Sequence, residues 1–427
     1  MADKKINLVV ADMGYGHQRA AYPLLDLAGG EAISTNNYPG IPDWEKKYWL
    51  SSRKSYEAIS RFKKIPLVGG LVFKAMDELQ EIDPFYPFRD LSKMIIQQKF
   101  YRQSLQKGLG KDLIDKLSAD NLPLVTTFFV AAYMAEYFNF PGEVYSIICD
   151  ADASRAWGPF YPKDSRIKFF LPSERVKKRF LMYGVKPENL FVTGFPLPKE
   201  NVGHHQEILK ADLARRLKTL DIHSRYNDSY HDLIARHLPD YEQSAPGILT
   251  ITFAVGGAGA QKEIGALILD KLVPKIKNGE IKLNLVAGVR PEVRDYFHHQ
   301  LERHGVKEGN GVGIIFAEDK TEYFKMFNDC LHETDILWTK PSELSFYSSL
   351  GLPIIMSEPV GSQEDFNRQW LISTGAGIDS YDPKYVDEWL FDLLSSGRLA
   401  RAAMDGFLNG EAMGTYNIEK IISESGK

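Results

Sequence analysis

His17 follows the turn Gly14-Tyr15-Gly16 and opens "HQRAAYPLL", a segment of helical pattern. An imidazole titrates near neutral pH, so at a helix start beside a Gly turn it could hold or move a proton. A structural or solvated imidazole stays open as the other reading. A second candidate lies in "IICDADAS". Asp150 and Asp152 at a strand end could together hold a divalent cation under a nucleoside diphosphate. Alternatively Asp150 acts alone, as a base or by orienting a hydroxyl. Two loop carboxylates that cap and turn are the plainer reading.

The stretch "AVGGAGAQ" carries Gly256, Gly257 and Gly259 between a strand and a helix. Glycines let the backbone approach a ligand, and the helix that follows offers free N–H groups and partial positive charge. That combination suits a diphosphate and needs no metal. Dinucleotide spacing is missing from the first turn, where Ala20 comes one position late, so a nicotinamide or flavin is disfavoured. No Gly-Lys-Ser/Thr ending follows either turn, which excludes a P-loop.

The segment "LWTKPSELSFYSSLGLPIIMSEPVGSQEDFNRQW" is the most informative. A strand delivers Thr339, Lys340, Pro341, Ser342 and Glu343 to its own end, and a polar loop from Glu358 to Asn367 enters a later helix. A carboxylate at Glu343 could accept both ribose hydroxyls of a nucleotide. It could equally serve as a first-turn charge that complements the helix dipole.

These residues must be positioned by strands and helices in alternation. "KINLVVA", "LPLVTTFFV", "EVYSIICD", "IKFFLPS" and "LFVTGFP" read as strands in the first half, with a helix from about His17 to Ala28 and another opened by Ser173. "GILTITFAV", "IKLNLVAG", "VGIIFAE", "TDILWTKP" and "LPIIMSEP" repeat that grammar in the second half. The expectation is an α/β protein of two doubly wound Rossmann-like domains facing a central cleft, with ligands beyond the carboxyl ends of the strands. Residues 1–200 form the first domain and 246–427 the second, with terminal helices. Asn201 to Ala245, polar and helical in period, reads as an insertion or linker between them.

The bulk numbers agree. A chain of 427 residues suits two or more domains. With 44% hydrophobic and 25% charged residues it is an ordinary globular composition, and a net charge of -4 gives no reason to expect nucleic acid. Cys149 and Cys330 offer no disulfide or zinc framework and fit a reducing compartment. No signal core or spanning segment is visible, so a cytoplasmic location is expected.

These motifs resemble the family 28 glycosyltransferases of the two-domain GT-B fold, and among them the diacylglycerol glucosyl- and galactosyltransferases. "GYGHQRAA" is similar to that family's Gly-Gly-Gly-His-x-x-Ala-Ala loop, and "AVGGAGAQ" to its diphosphate loop. "LPSERVKKRFLMYGVKPENLFVTGFPLP" resembles the segment that closes its first domain. "TKPSELSFYSSLGLPIIMSEPVGSQEDFNRQWL" resembles its donor-binding segment, which runs Thr-Lys-Pro-Gly-Gly, a Thr/Ser-Glu, then Pro-Val-x-Gly-Gln-Glu-x-x-Asn. The resemblance implies direct, inverting, metal-independent transfer from a nucleotide sugar, with a UDP-sugar as the expected donor and no cofactor. It implies that Gly256, Gly257, Gly259 and Ala260 meet the diphosphate. Lys340, Ser342, Glu343, Gln363, Glu364 and Asn367 would bind the donor. His17 and Asp150 would face the acceptor as candidates for the base, beside the cleft loop of Gly14 and Gly16.

Three departures stand out. Tyr15 replaces the middle glycine of the opening loop. The chain is two residues shorter after Pro341, which puts Phe346 where the family has its glutamate and leaves the ribose to Glu343 or to no residue. Ser154 stands in place of a histidine between Asp150 and Trp157. A nucleotide-sugar epimerase of the same fold and a non-enzymatic sugar-nucleotide-binding protein are therefore the alternatives. Finally, Trp44 to Met76 mixes Trp, Tyr and Phe with Lys and Arg around "IPLVGGLVF". It suits a bilayer interface, as a lipid acceptor would require, or an ordinary helix pair packed on the sheet.

Overall fold

Short, largely apolar runs dominate the strands, as expected where both faces of a parallel sheet are covered. "NLVV" at β1 (Asn7–Val10) and "VYSI" at β4 (Val144–Ile147) are buried at every position. The computed structural model describes residues 4–12, 14–51, 82–256, 259, 261–359 and 362–425. They fall into two units, Met1–Pro196 with Gly414–Lys427, and Leu197–Met413.

The first unit holds six parallel strands in the order β2-β1-β3-β4-β5-β6. Besides β1 and β4 these are β2 (Ile33–Ser34), β3 (Leu124–Thr126), β5 (Lys168–Leu171) and β6 (Leu190–Val192). The chain runs from β1 outward to β2 and then returns to place β3 on β1's other side. That reversal is a topological switch point, where open α/β sheets leave a crevice beyond the strand ends. The first helix is shorter than expected. It spans Tyr15–Ala21 and gives way to a 3-10 turn at Tyr22–Leu24, because Pro23 cannot continue an α-helical ladder. Ser173 does cap its helix, accepting a hydrogen bond from the Val176 N–H at 3.4 Å.

The second unit repeats the plan with β7 (Leu249–Ala254), β8 (Ile281–Gly288), β9 (Val312–Phe316), β10 (Ile336–Thr339), β11 (Ile354–Met356) and β12 (Gly377–Asp379). All pairings are parallel in the order β12-β11-β10-β7-β8-β9, so its switch point lies between β7 and β10. The two doubly wound sheets expected from the sequence are present.

Two boundaries differ from the sequence-based expectation. Residues 201–245 are not a separate linker. Leu213, Leu217, Leu220, Tyr226, Ile234 and Tyr241 lie in one buried cluster with Ile251, Phe253 and Trp338 of the second sheet. The leucines of helix Glu207–Leu220 form a stripe at helical spacing, and burying each contributes about 1.5–3 kcal/mol. Arg216 on the same helix is buried. Its guanidinium donates to the carbonyls of Thr334 at 2.8 Å, Leu350 at 2.9 Å and Gly351 at 3.1 Å. The second domain also ends earlier than expected. Helix Gly414–Ser425 belongs to the first unit, where Asn417 donates to the Thr193 carbonyl at 2.9 Å. A Cβ on Gly414 would sit 2.1 Å from the Phe195 carbonyl oxygen, so only glycine lets that helix start there.

Candidate functional site

The candidate residues gather at the carboxyl ends of the strands, at the switch point of each sheet. In the first unit His17 lies just beyond β1 and Thr127 just beyond β3. The His17 Nδ1 lies 2.6 Å from the Thr127 carbonyl oxygen. A carbonyl only accepts, so Nδ1 carries the proton and Nε2 is the basic nitrogen of the neutral ring. Aromatic rings flank the half-buried imidazole, Phe128 at 5.6 Å edge-on and Trp157 at 5.9 Å between centroids. Phe129 bridges them, 5.3 Å from Phe128 and 5.1 Å from Trp157.

Gly14 caps the helix that carries His17. Its φ of +112 and ψ of -179 belong to a region open to glycine alone, and nothing lies within 4 Å of the place a Cβ would take. Gly16 is different. It sits in the first turn of the helix without a left-handed φ, so the open backbone face is a property of Gly14.

Asp150 is half-buried at the end of β4, the neighbour of β3. The preceding Cys149 reaches the same Thr127 carbonyl that anchors His17, with Sγ at 3.9 Å. Asp152 has another task. It is buried, and both its carboxylate oxygens accept from Arg179, at 2.8 and 2.9 Å, with Arg175 at 3.4 Å. A carboxylate held by a bidentate buried guanidinium is committed to structure, so the paired-aspartate cation site loses one ligand. Ser154 is buried just before the 3-10 turn Arg155–Trp157 that presents Trp157.

In the second unit Gly256 follows β7 and Lys340 follows β10, again on either side of the switch point. A Cβ on Gly256 would lie 2.7 Å from Lys340 Cε and 3.5 Å from its Nζ. Glycine is therefore what lets the lysine stem cross the loop. Lys340 forms an ion pair with Glu364, in the first turn of helix Ser362–Thr374. Asn367, buried one turn further on, donates to the Pro341 carbonyl at 3.4 Å. Gln261 closes the group from the other side, donating to the Glu358 carbonyl at 3.0 Å. The turn Lys340–Ser342 is closed by the Ser342 N–H donating to the Lys340 carbonyl at 2.8 Å.

Glu343 opens the 3-10 helix Glu343–Leu350 and is half-buried, as is Gln363. Phe346, at the family's glutamate position, is buried with its ring 4.9 Å from Trp370. Gly259 has a φ of +71, and its N–H donates to the Gly256 carbonyl at 2.7 Å. Gly257 and Ala260 lie outside the described residues. So do positions 52–76 of the aromatic and basic stretch. Within its described part Trp49 is buried, its ring 6.1 Å from Phe128, while Trp44 and Leu50 are exposed.

Three contributors were not legible as site residues. Thr127 acts through its main chain, Phe128 looked like part of a strand, and Arg290 is brought to the Gly259 loop only by the pairing of β7 with β8. A cation directly after a strand and before Pro291 is the signal that marks Arg290.

Two doubly wound parallel units in one chain are the architecture of the GT-B fold. Solved structures agree on the fold. The Staphylococcus aureus MnaA structure with UDP is 13% identical at a TM-score of 0.50, covering 99% of this chain and 97% of that one. A structure described as a UDP-N-acetylglucosamine 2-epimerase, from Listeria monocytogenes, is 13% identical at 0.50, covering 100% and 97%. No protein-family model matches the chain. Within the fold, this GT-B protein resembles the diacylglycerol glycosyltransferases. It is 20% identical over 390 residues to the processive diacylglycerol beta-glucosyltransferase of Bacillus subtilis, covering 88% of this chain and 83% of that protein.

Proposed function

We propose that the protein transfers a sugar from a nucleoside-diphosphate sugar, with a UDP-sugar as donor, to an acceptor hydroxyl, by inverting, metal-independent displacement. Support comes from its likeness to a diacylglycerol glucosyltransferase. The observation that carries the reading is the crossing of Lys340 over Gly256 beside a helix start, a pairing of a cation with backbone N–H groups that suits a departing diphosphate. The acceptor oxygen forms a bond to the anomeric carbon. The bond from that carbon to the β-phosphate oxygen breaks, and its electron pair leaves with the diphosphate. The acceptor proton passes to His17 Nε2, with Asp150 as the second candidate base. Glu343 holds the ribose. Gln363 and Glu364 face the sugar, with Ser342 and Asn367 shaping the turn beside it. Activity that survives EDTA is the expected result for a site of this kind.

A lipid acceptor reached from the cytoplasmic membrane face fits the same likeness. Among the described residues no helix is long and apolar enough to cross a membrane. The outward face of helix Ile96–Gln106 supports peripheral contact. Ile96 and Phe100, one turn apart, are each 61% exposed beside Lys99 and Lys107.

A second reading, a nucleotide-binding protein without turnover, is favoured by Phe346, which puts an apolar core side chain where the family has a carboxylate. A thermal-shift panel of nucleoside diphosphates and nucleotide sugars, repeated on Glu343→Ala, tests the donor half. A shift with one nucleotide family, lost in the variant, supports the transferase site. No shift with any nucleotide sinks it. Nucleotide release without an acceptor would point to the epimerase instead.

A further inference from the structure

The loop after β7 has two described glycines, and a cation lies over each. Lys340 covers Gly256. On the other side, a Cβ on Gly259 would lie 3.2 Å from Arg290 Cδ and 3.8 Å from its Nε. Arg290 follows β8, and Lys340 follows β10, the strands that flank β7 on either side. The loop is thus bracketed by two basic side chains from opposite neighbours. Helix Lys262–Lys277 starts directly after it and adds its N-terminal N–H groups.

We propose that Arg290 is a ligand of the donor's diphosphate, opposite Lys340. This rests on the proposed nucleotide-sugar site and adds a residue to it. Several features fit. The aliphatic part of Arg290 runs beside Gly259, so its head is held near the loop. Its guanidinium meets Glu292 at 3.3 Å, with side chains 36% and 61% exposed. Exposed pairs of this sort are weak and readily exchanged for a stronger anion. Other cations nearby are turned to aromatic rings. Lys262 lies 4.6 Å over Tyr296, and Arg294 lies 4.5 Å over Phe316. A guanidinium presents a planar fork that matches two phosphate oxygens, whereas Lys340 is a point charge. The pair would share the charge that grows on the β-phosphate as the sugar departs.

The test is calorimetric titration of UDP, UMP and uridine into the native protein, Arg290→Gln and Arg290→Lys, with melting temperatures recorded without ligand. Arg290→Gln should bind UDP about 10- to 100-fold more weakly, the range of one charge-assisted phosphate contact. UMP should lose less and uridine nothing. Arg290→Lys should recover part of the loss, which a variant that merely misfolded would not do. The native protein's UDP affinity should also fall more steeply with salt than the Gln variant's. Equal UDP affinity in native and Gln proteins of equal melting temperature overturns Arg290's role and leaves the nucleotide site standing. Failure of the native protein to bind any of the three overturns both.

Discussion

The His17 imidazole donates from Nδ1 to the Thr127 carbonyl at 2.6 Å, and the two residues follow β1 and β3, the strands at which the strand order of the first sheet reverses. The bond fixes ring orientation and tautomer together, leaving Nε2 to take a proton. His17→Ala should lower turnover by about 100- to 10,000-fold, the usual span for a general base, while donor affinity stays near native. His17→Gln should not recover the rate, since an amide keeps a hydrogen bond but accepts no proton at neutral pH. Steady-state kinetics beside nucleotide titration separates these effects. Unchanged turnover in the Ala variant would remove His17 from the chemistry.

Gly256 and Lys340 repeat that relationship in the second sheet, where the missing Cβ rather than a hydrogen bond joins the two strand ends. Gly256→Ala would press on Lys340 Cε, which a flexible side chain can relieve by moving. Melting temperature should therefore change little. Nucleotide affinity should fall, because Lys340 leaves its place beside Glu364. The two substitutions should not add. In a Lys340→Ala background Gly256→Ala should cost almost nothing further, the mark of residues acting through one contact. Additive losses in UDP binding would show that Gly256 serves the ligand directly.

How far such relationships could be read in advance depended on whether they are local. The strands were legible because buried parallel strands are continuous apolar runs. His17, the Gly256 loop and the Lys340 segment were legible because each is a short motif at a strand end. Asp152 stayed ambiguous because its partner Arg179 lies on a later helix, and only the fold shows the carboxylate occupied. Residues 201–245 looked like a linker because charged positions outnumber the leucine stripe that is buried. The ownership of Gly414–Ser425 rests on contacts distant in sequence, Gly414 against the Phe195 backbone and Asn417 to the Thr193 carbonyl.

Arg216 gives that misjudged segment its anchor. Burial pulls its guanidinium down to about 10, which still leaves it charged at neutral pH. Three carbonyls, those of Thr334, Leu350 and Gly351, depend on it within 3.1 Å. Arg216→Met keeps apolar volume but removes every donor, and should cost about 3 kcal/mol through unsatisfied carbonyls. Arg216→Lys should recover less than half, because one ammonium cannot span acceptors spaced for a fork. Calorimetric unfolding would report both. Native-like melting of the Met variant would mean that packing alone holds the helix.

Glu45 makes stability depend on pH. Its carboxyl is buried, and among the described residues Oε2 has no hydrogen-bond partner. Burial pushes its pKa above the usual carboxylate value, aided by Asp112 and opposed by the Gly110 backbone and Lys116. A carboxyl with a raised pKa holds its proton more tightly folded than unfolded. Its contribution to stability is therefore complete below the ordinary glutamate range and lost as pH rises through the raised value. Glu45→Gln imitates the protonated form at every pH. The variant should melt above the native protein at pH 8, and the gap should close as pH falls toward 4. A gap that stays constant across that range would mean that the native carboxylate is satisfied when charged. The same helical segment, 43–51, carries Trp49 against Phe128, so native acid stabilisation should also slow hydrogen exchange around the ring that flanks His17.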